Sequence, residues 1–594
     1  MRATSLTLGH RADADAGPPG STRVPTPVPT RVPTRVSTPV PTRVPTRVAR
    51  PEVVGPSGPL PRVPETGYGV PGGSWHHEPV MSEKQQTSPS RKRPTTDEFR
   101  AFVASGWAPR STGVTPRSEA ADWAARRRDA VSAAFPGERL VVPAGGLKVR
   151  SNDCDYVFRP HSAFAHLTGL GSDREPDAVL VLEPIGEGED AGHEAVLYFR
   201  PLADRDTEEF FGDSRYGEFW VGARPTLADV ESELGLTARH IDEFADAVAK
   251  DAGSVTVRVV RDADAEVTER VDKARAAGAE SQDAAEVESR TEQEREADDA
   301  LAHFLSLLRL VKDDWEVEQM RSAIEGTHQG FEGVIADLLE AVRRGRGERW
   351  VEGVFGLLAR HHGNGVGYDS ICASGDHANT LHWIKNTGDI SEGDLLLLDA
   401  GVEVDSLFTA DITRTLPVSG TFSDAQRKIY DAVYAAQEAG IAACKPGNKF
   451  SDVHAAAIRV IAEHLHEWGL LPEGVDVEGT LDAEHGQYHR RWMVHGTSHH
   501  LGIDVHDCAL ATREEYNDAI LEPGMILTVE PGLYFKADDE LVPAELRGNG
   551  VRIEDDVLIT ADGCENLSAA MPRSSADVEA WIARVWAERG VTRA

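Results

Sequence analysis

The sequence predicts an α/β domain followed by a larger α+β domain, both behind a disordered N-terminal tail. Three observations carry this reading. At 594 residues the chain exceeds what one compact core holds, and ordinary domain sizes divide it into two or three folded units. Between about residues 96 and 260, short β-rich runs closed by Pro or Gly (RLVVPAGG, DAVLVLEP, EAVLYFRP) mix with an Ala- and Arg-rich stretch of helical period. Beyond about residue 305, capped helices alternate with apolar strands that end on, or carry, acidic residues.

From Val24 to Val48 a Pro-Thr-Arg-Val theme repeats, and its prolines remove amide donors and favour extended chain. Residues 1–95 are therefore expected to be disordered. The first domain spans 96–260 and includes a helix over Glu119 to Phe135. Over 261–304 Ala, Glu, Asp, Arg and Gln dominate, which reads as an acidic helical linker exposed to solvent. The second domain runs from 305 to 594. Ser423 opens a helix with a Ser-x-x-Gln capping box, and Ser451 precedes another with Val453, Ala457, Val460 and Ile461 on one face. Lys445-Pro446-Gly447 turns the chain between them. Strands are expected over Leu395 to Asp399, Asp411 to Val418, Met525 to Glu530 and Val551 to Ile559. A final helix carries Val578, Trp581, Ile582, Val585 and Trp586 as one stripe.

The formal charge of -36, from 62 basic and 98 acidic residues, argues against nucleic acid or an anionic membrane as partner, since both would be repelled. Five cysteines without CxxC spacing suggest neither a disulfide frame nor a thiolate metal site. No apolar run approaches the roughly 18 residues of a membrane span, and the N-terminus lacks a signal pattern, so a cytoplasmic protein is expected.

Four segments carry chemistry. In LLLLDAG an apolar strand ends in Asp399, and ADITRT begins at Asp411 twelve residues later, so a hairpin would bring two carboxylates together. Such carboxylates are costly on apolar strands unless paired or metal-bound. HGTSHHLGIDVHD gathers His495, His499, His500 and His506. In MILTVEPG, Glu530 ends an apolar run, and in GVRIEDDVLIT period-two alternation puts Arg552 and Glu554 on one face. His76, His77, His361, His362, His464 and His466 lie in the tail or at helix surfaces and are given no chemistry. Four carboxylates and one imidazole suit two divalent ions of the Mn or Co type, not a thiolate-rich structural zinc. The charges balance, because four at -1 offset two at +2. Ions held about 3.5–4 Å apart can activate a shared water and polarise a carbonyl, as amide hydrolysis requires.

At these residues the chain resembles the aminopeptidase P and prolidase branch of the pita-bread metallopeptidases. LLDAG, ADITRT, HGTSHHLGIDVHD, LTVEPGLY and GVRIEDD occur in the family's order, and RSNDCDYVFRPHSAFAHLTGL at 150–170 resembles its N-terminal domain. The resemblance covers about residues 97 to 575. It implies a pita-bread catalytic domain and hydrolysis of the N-terminal Xaa-Pro bond of peptides with proline at the second position. It further implies two divalent ions, Mn²⁺ with Co²⁺ and Zn²⁺ as alternatives: Asp399 with an oxygen-sharing partner on the first, His499 and Glu530 on the second, Asp411 and Glu554 bridging. His382 in NTLHW, His495 and His506 would line the substrate site, Arg552 would hold the metal-site carboxylates, and the proton would pass to the leaving nitrogen through Glu530, the first candidate, or one of the histidines. A homodimer or tetramer is implied too. Twelve residues rather than eleven separate the aspartates, which calls for a bulge in the hairpin, and His500 stands where relatives often have an aromatic residue, a position read as packing. The alternatives are a prolidase restricted to dipeptides and a non-enzymatic binding protein on the same fold.

Overall fold

The computed structural model describes residues 95–592, apart from 111–112, 187, 189–190 and 280–282. The expected tail thus lies outside the described residues except for Thr95.

The β-rich runs of the first domain form a five-stranded mixed sheet in the order Thr237–His240, Gly192–Phe199, Val179–Ile185, Arg139–Pro143, Val257–Val259. The two outer pairings are parallel and the two inner ones antiparallel. Alternation splits its side chains between two apolar layers. Leu140, Leu180, Leu182, Leu197 and Phe199 enter one layer, and Val141, Val179, Val181, Val196 and Tyr198 the other. Burial on both faces explains why these strands read as continuous apolar runs rather than alternating ones.

The acidic segment forms the helices Ala265–Gly278 and Ala284–Leu307, and it is not wholly exposed. Leu301 and Leu305 join the first domain's core. The fully buried Asp298 carboxylate meets Arg275 at 2.6 Å and Arg261 at 2.8 Å and accepts the Val259 amide at 2.8 Å. Composition concealed this because the buried side is held by charge as much as by apolar bulk.

The second domain is built of small antiparallel sheets packed among helices. One sheet orders Ile412–Pro417, Leu395–Ala400 and Ile371–Ser374, and a second orders Ile526–Val529, Asp555–Thr560 and Gly563–Asn566. A ribbon of Gly532–Phe535 with Asn549–Arg552 completes the set. The helix Asp424–Ala443 carries the expected capping box at Ser423, whereas the next helix starts at Phe450, one residue before Ser451. The terminal helix, Ser575–Arg589, buries all five residues of its stripe.

Two expectations are corrected. The ladder between Leu395–Ala400 and Ile412–Pro417 runs in unbroken register, Leu395 opposite Pro417 through Ala400 opposite Ile412, so it has no bulge. The extra length is taken up in the 401–411 connection, where Val402–Glu403 pairs with Gly365–Val366 and Leu407 adopts φ 75°. The strand expected over Val551 to Ile559 is two strands. Asn549–Arg552 pairs with Gly532–Phe535, while Asp555–Thr560 pairs with Ile526–Val529. Pro531, which has no amide to donate, breaks the partner strand at the same place, and the freed Glu554 amide bonds Thr413 O at 3.1 Å instead.

Removing Asp298 leaves Arg275 short of its buried partner, so Asp298→Ala is expected to destabilise the first domain by about 3 kcal/mol. A lowered urea midpoint in tryptophan fluorescence would show this; an unchanged midpoint would mean that the cluster contributes nothing net.

Candidate metal centre

The two breaks in β-structure deliver the site. Asp399 is the penultimate residue of Leu395–Ala400, and Asp411 immediately precedes Ile412–Pro417. Glu530 and Glu554 sit opposite one another at the bend of the split ribbon. His499 comes from a loop whose backbone is tied to Thr528: its amide donates to Thr528 Oγ1 at 3.1 Å, and Thr528 N donates to His499 O at 2.9 Å.

Ligand atoms of Asp411, His499 and Glu554 all lie within 4.8 Å of one another, and His499 Nε2 is 3.3 Å from Asp411 Oδ2. Asp399 pairs with the buried Arg552 guanidinium and accepts from Tyr368 Oη at 2.7 Å. The same hydroxyl stands 2.5 Å from Asp411 Oδ1, so its single proton serves two carboxylates. Thr413 Oγ1 donates to Glu554 Oε2 at 2.7 Å and accepts from Arg552 Nε at 3.2 Å. Arg552 also donates to Tyr534 Oη at 3.1 Å, and that hydroxyl meets His495 Nε2 at 2.7 Å. Nδ1 of His495 faces Glu530 at 3.6 Å.

Burial is the largest cause of the carboxylate shifts here, and neighbouring carboxylates add to it. Glu554 is raised well above the carboxylate range, Glu530 is pushed up to about 7 and Asp399 is raised as well, with Arg552 opposing the rise in each. Desolvation pulls His499 down, but Asp411 and Glu530 outweigh it and lift the imidazole to about 9. His495 is lowered to about 3 by burial and by Arg552, so it is neutral at pH 7. An oxygen-rich cluster that retains protons for want of positive charge fits divalent cations: four carboxylates and one imidazole suit hard or borderline ions.

The remaining expected residues are not all at the centre. His506 stacks edge-on to His499 at 4.5 Å between ring centroids. His382 is exposed on a turn, yet it acts electrostatically on both His495 and His506. His500 is buried between Phe450 and Tyr516, at 4.9 and 4.6 Å, and it packs. Sequence reasoning gave no role to Tyr368, Thr413, Tyr534 or Asp556, whose carboxylate accepts the Asp411 amide at 3.3 Å. Thr413 was within reach, since alternation puts it beside Asp411 on one face.

Residues 318–561 match metallopeptidase family M24, and 124–260 match the aminopeptidase P N-terminal domain. Xaa-Pro aminopeptidase 1 of Streptomyces coelicolor is 49% identical over 88% of this chain and 97% of its own. The Xaa-Pro aminopeptidase of Escherichia coli is 33% identical over 77% and 96%. Among solved structures, a Pseudomonas aeruginosa aminopeptidase superposes with a TM-score of 0.66 at 31% identity, covering 78% of this chain and 98% of the other. Escherichia coli aminopeptidase P with the inhibitor Pro-Leu superposes at 0.66 and 30%, covering 79% and 99%.

After chelation His499, lifted to about 9, holds a proton at pH 7, Glu530, pushed up to about 7, holds one about half the time, and burial favours the protonated form of Glu554. Ligation must displace these protons, so Mn²⁺ uptake is expected to release protons and to weaken as pH falls. Titration calorimetry in buffers of different ionisation heat measures the release; identical heats in every buffer would contradict it.

Proposed function

The chain belongs to the Xaa-Pro aminopeptidases of metallopeptidase family M24, and from that membership we propose that two ions at this centre drive the removal of a residue preceding proline. The observation that supports this most is the convergence of Asp411, His499 and Glu554, with Asp399 and Glu530 beside them, into one buried, under-compensated cluster. Asp411 and Glu554 are the residues that would bridge the ions, Asp399 would complete one ligand set, and His499 and Glu530 the other. Manganese is our assignment, with cobalt and zinc as alternatives. Divalent ions held there would acidify a water and polarise the scissile carbonyl.

The chain's own groups account for the rest. Glu530 is our candidate to accept a proton from the water and return it to the leaving proline nitrogen. Neutral His495, its Nδ1–H given to the Gly496 carbonyl and its Nε2 accepting from Tyr534 Oη, stands beside Glu530 without adding charge. His506 and His382 line the substrate side. Arg552 fixes Asp399 and, through Thr413, Glu554. The acidic cluster also suits a peptide's free amine. The Pro-Leu inhibitor of the Escherichia coli enzyme begins with proline, as does the product left when a Xaa-Pro bond is cut.

We assign residues 96–260 to the aminopeptidase P N-terminal domain, 261–304 to the join and 305–594 to the catalytic domain. No helix among the described residues is long and apolar enough to cross a membrane, and the cytoplasm is our assignment. We also propose a homodimer or tetramer.

Chelation is expected to abolish turnover of a Xaa-Pro-Yaa tripeptide, and Mn²⁺ to restore it with cleavage at the first bond only. The N-acetylated tripeptide should be neither cut nor tightly bound. Mass spectrometry over time reads all three arms. Activity in rigorously metal-free protein would refute the mechanism, comparable cleavage of the acetylated peptide would refute amine recognition, and turnover of Xaa-Pro dipeptides alone would make the chain a dipeptidase.

A further inference from the structure

We infer that Glu348 is a positioning residue for the reaction, its buried carboxylate fixing the loop that presents His382 to the substrate. The inference rests on the placement of His382 at the substrate site proposed above.

Glu348 lies in the first turn of the helix Gly347–His362, where a negative charge is favoured by the helix dipole, and its side chain is wholly buried. All four of its partners are donors. Oε1 accepts the Ser374 amide at 3.0 Å and His377 Nδ1 at 2.7 Å, and Oε2 accepts Trp383 Nε1 at 2.8 Å and the Gly388 amide at 2.5 Å. Ser374 and Gly388 are the two ends of one loop, and His377 and Trp383 come from inside it. One carboxylate therefore ties both ends and the middle together. The two rings also stack, with centroids 3.9 Å apart and planes inclined by 24°.

His382 is the chain neighbour of Trp383, so the indole bond sets the direction in which its backbone presents it. The close approach is built in at Gly388. A Cβ there would lie 2.7 Å from the Glu348 carboxyl carbon, too close for any side chain. What the carboxylate adds is a single conformation for an otherwise irregular segment. The same loop is tied to the ribbon that carries Arg552: Asn379 Nδ2 donates to Phe535 O at 3.2 Å, and Ala537 N donates to Asp376 Oδ1 at 2.8 Å.

The experiment is a double-mutant cycle with Glu348→Gln, His382→Ala and the double variant, read as kcat and KM on a Xaa-Pro-Yaa tripeptide. Bound manganese and melting temperature are followed in parallel. Glutamine keeps the shape but turns one acceptor oxygen into a donor facing other donors. Each single variant is expected to lose about tenfold or more in kcat/KM, the scale on which misplacing a positioned group acts, with metal content unchanged. The double variant should be no worse than His382→Ala alone. A purely structural fault in Glu348→Gln would instead cut activity by the same factor in both backgrounds, and that result overturns the inference. Full activity in Glu348→Gln while His382→Ala is impaired overturns it too. Full activity in His382→Ala overturns the placement of His382, and the inference with it. Should Glu348→Gln not fold, Trp383→Phe removes the indole donor while keeping an aromatic ring, and it must show the same loss of additivity with His382→Ala.

Discussion

Crowding like charges in a medium that screens them poorly is the constraint on which the rest of the structure depends. Asp399, Glu530 and Glu554 share one buried pocket with Asp411, and there desolvation, with repulsion from the neighbouring carboxylates, raises the proton affinity of those three. The protein's internal answer is partial. Arg552 pairs with Asp399, Tyr368 lends one proton between Asp399 and Asp411, and Thr413 links Arg552 to Glu554. Each device holds a carboxylate in place without neutralising the set, which is the state in which bound cations contribute most.

The strands keep this cluster apart from a second one of similar strength. Along ADITRT, Asp411 and Thr413 face the centre, while Arg414 points away, fully buried, and pairs with Asp555 at 2.7 Å. Along IEDD the alternation repeats: Glu554 and Asp556 serve the centre and its backbone, and Asp555 takes the far side with Arg414 and Arg573. The same period of two that builds the sheet thus sorts adjacent acids into different electrostatic environments. Arg414 also donates to the carbonyls of Glu554, Met571 and Pro572, anchoring the bend that carries Glu554.

This sorting explains what the sequence disclosed. Asp399 and Glu530 were legible because an acid closing an apolar run is costly and demands a reason, and the motif order supplied the fold. Tyr368 was not legible, since GVGYD has no periodicity and the hydroxyl reaches its carboxylates only through tertiary packing. His495, His499, His500 and His506 looked alike in one cluster, yet the loop sends them to a tyrosine, the centre, an aromatic cage and the outer rim respectively. The break at Ile553 was hidden because Val551, Arg552, Ile553 and Glu554 alternate straight through it. The buried side of residues 261–304 was hidden for the opposite reason: Arg275 and Asp298 look like surface residues until they are paired.

The histidine loop depends in turn on the first domain. Asp504, two residues before His506, accepts from Ser162 Oγ at 2.6 Å and lies 3.4 Å from Arg159, both from the segment that opens the helix Ser162–Thr168. Arg159 also bonds the Ile503 carbonyl at 2.7 Å and Glu403 at 2.9 Å, so one guanidinium spans this loop and the connection that precedes Asp411. On the other side of His506, buried Asp507 is held between Arg309 at 2.8 Å and Lys312 at 3.6 Å, and both cations depress its proton affinity despite burial. Both flanks of His506 are therefore clamped by cations from outside the sheets. A loop so held cannot drift without breaking ion pairs at the junction of the two domains. The first domain is thereby part of what keeps His499 and His506 in register with the carboxylates, and its sheet serves as a rigid mount for Arg159 and Ser162 rather than as a separate module.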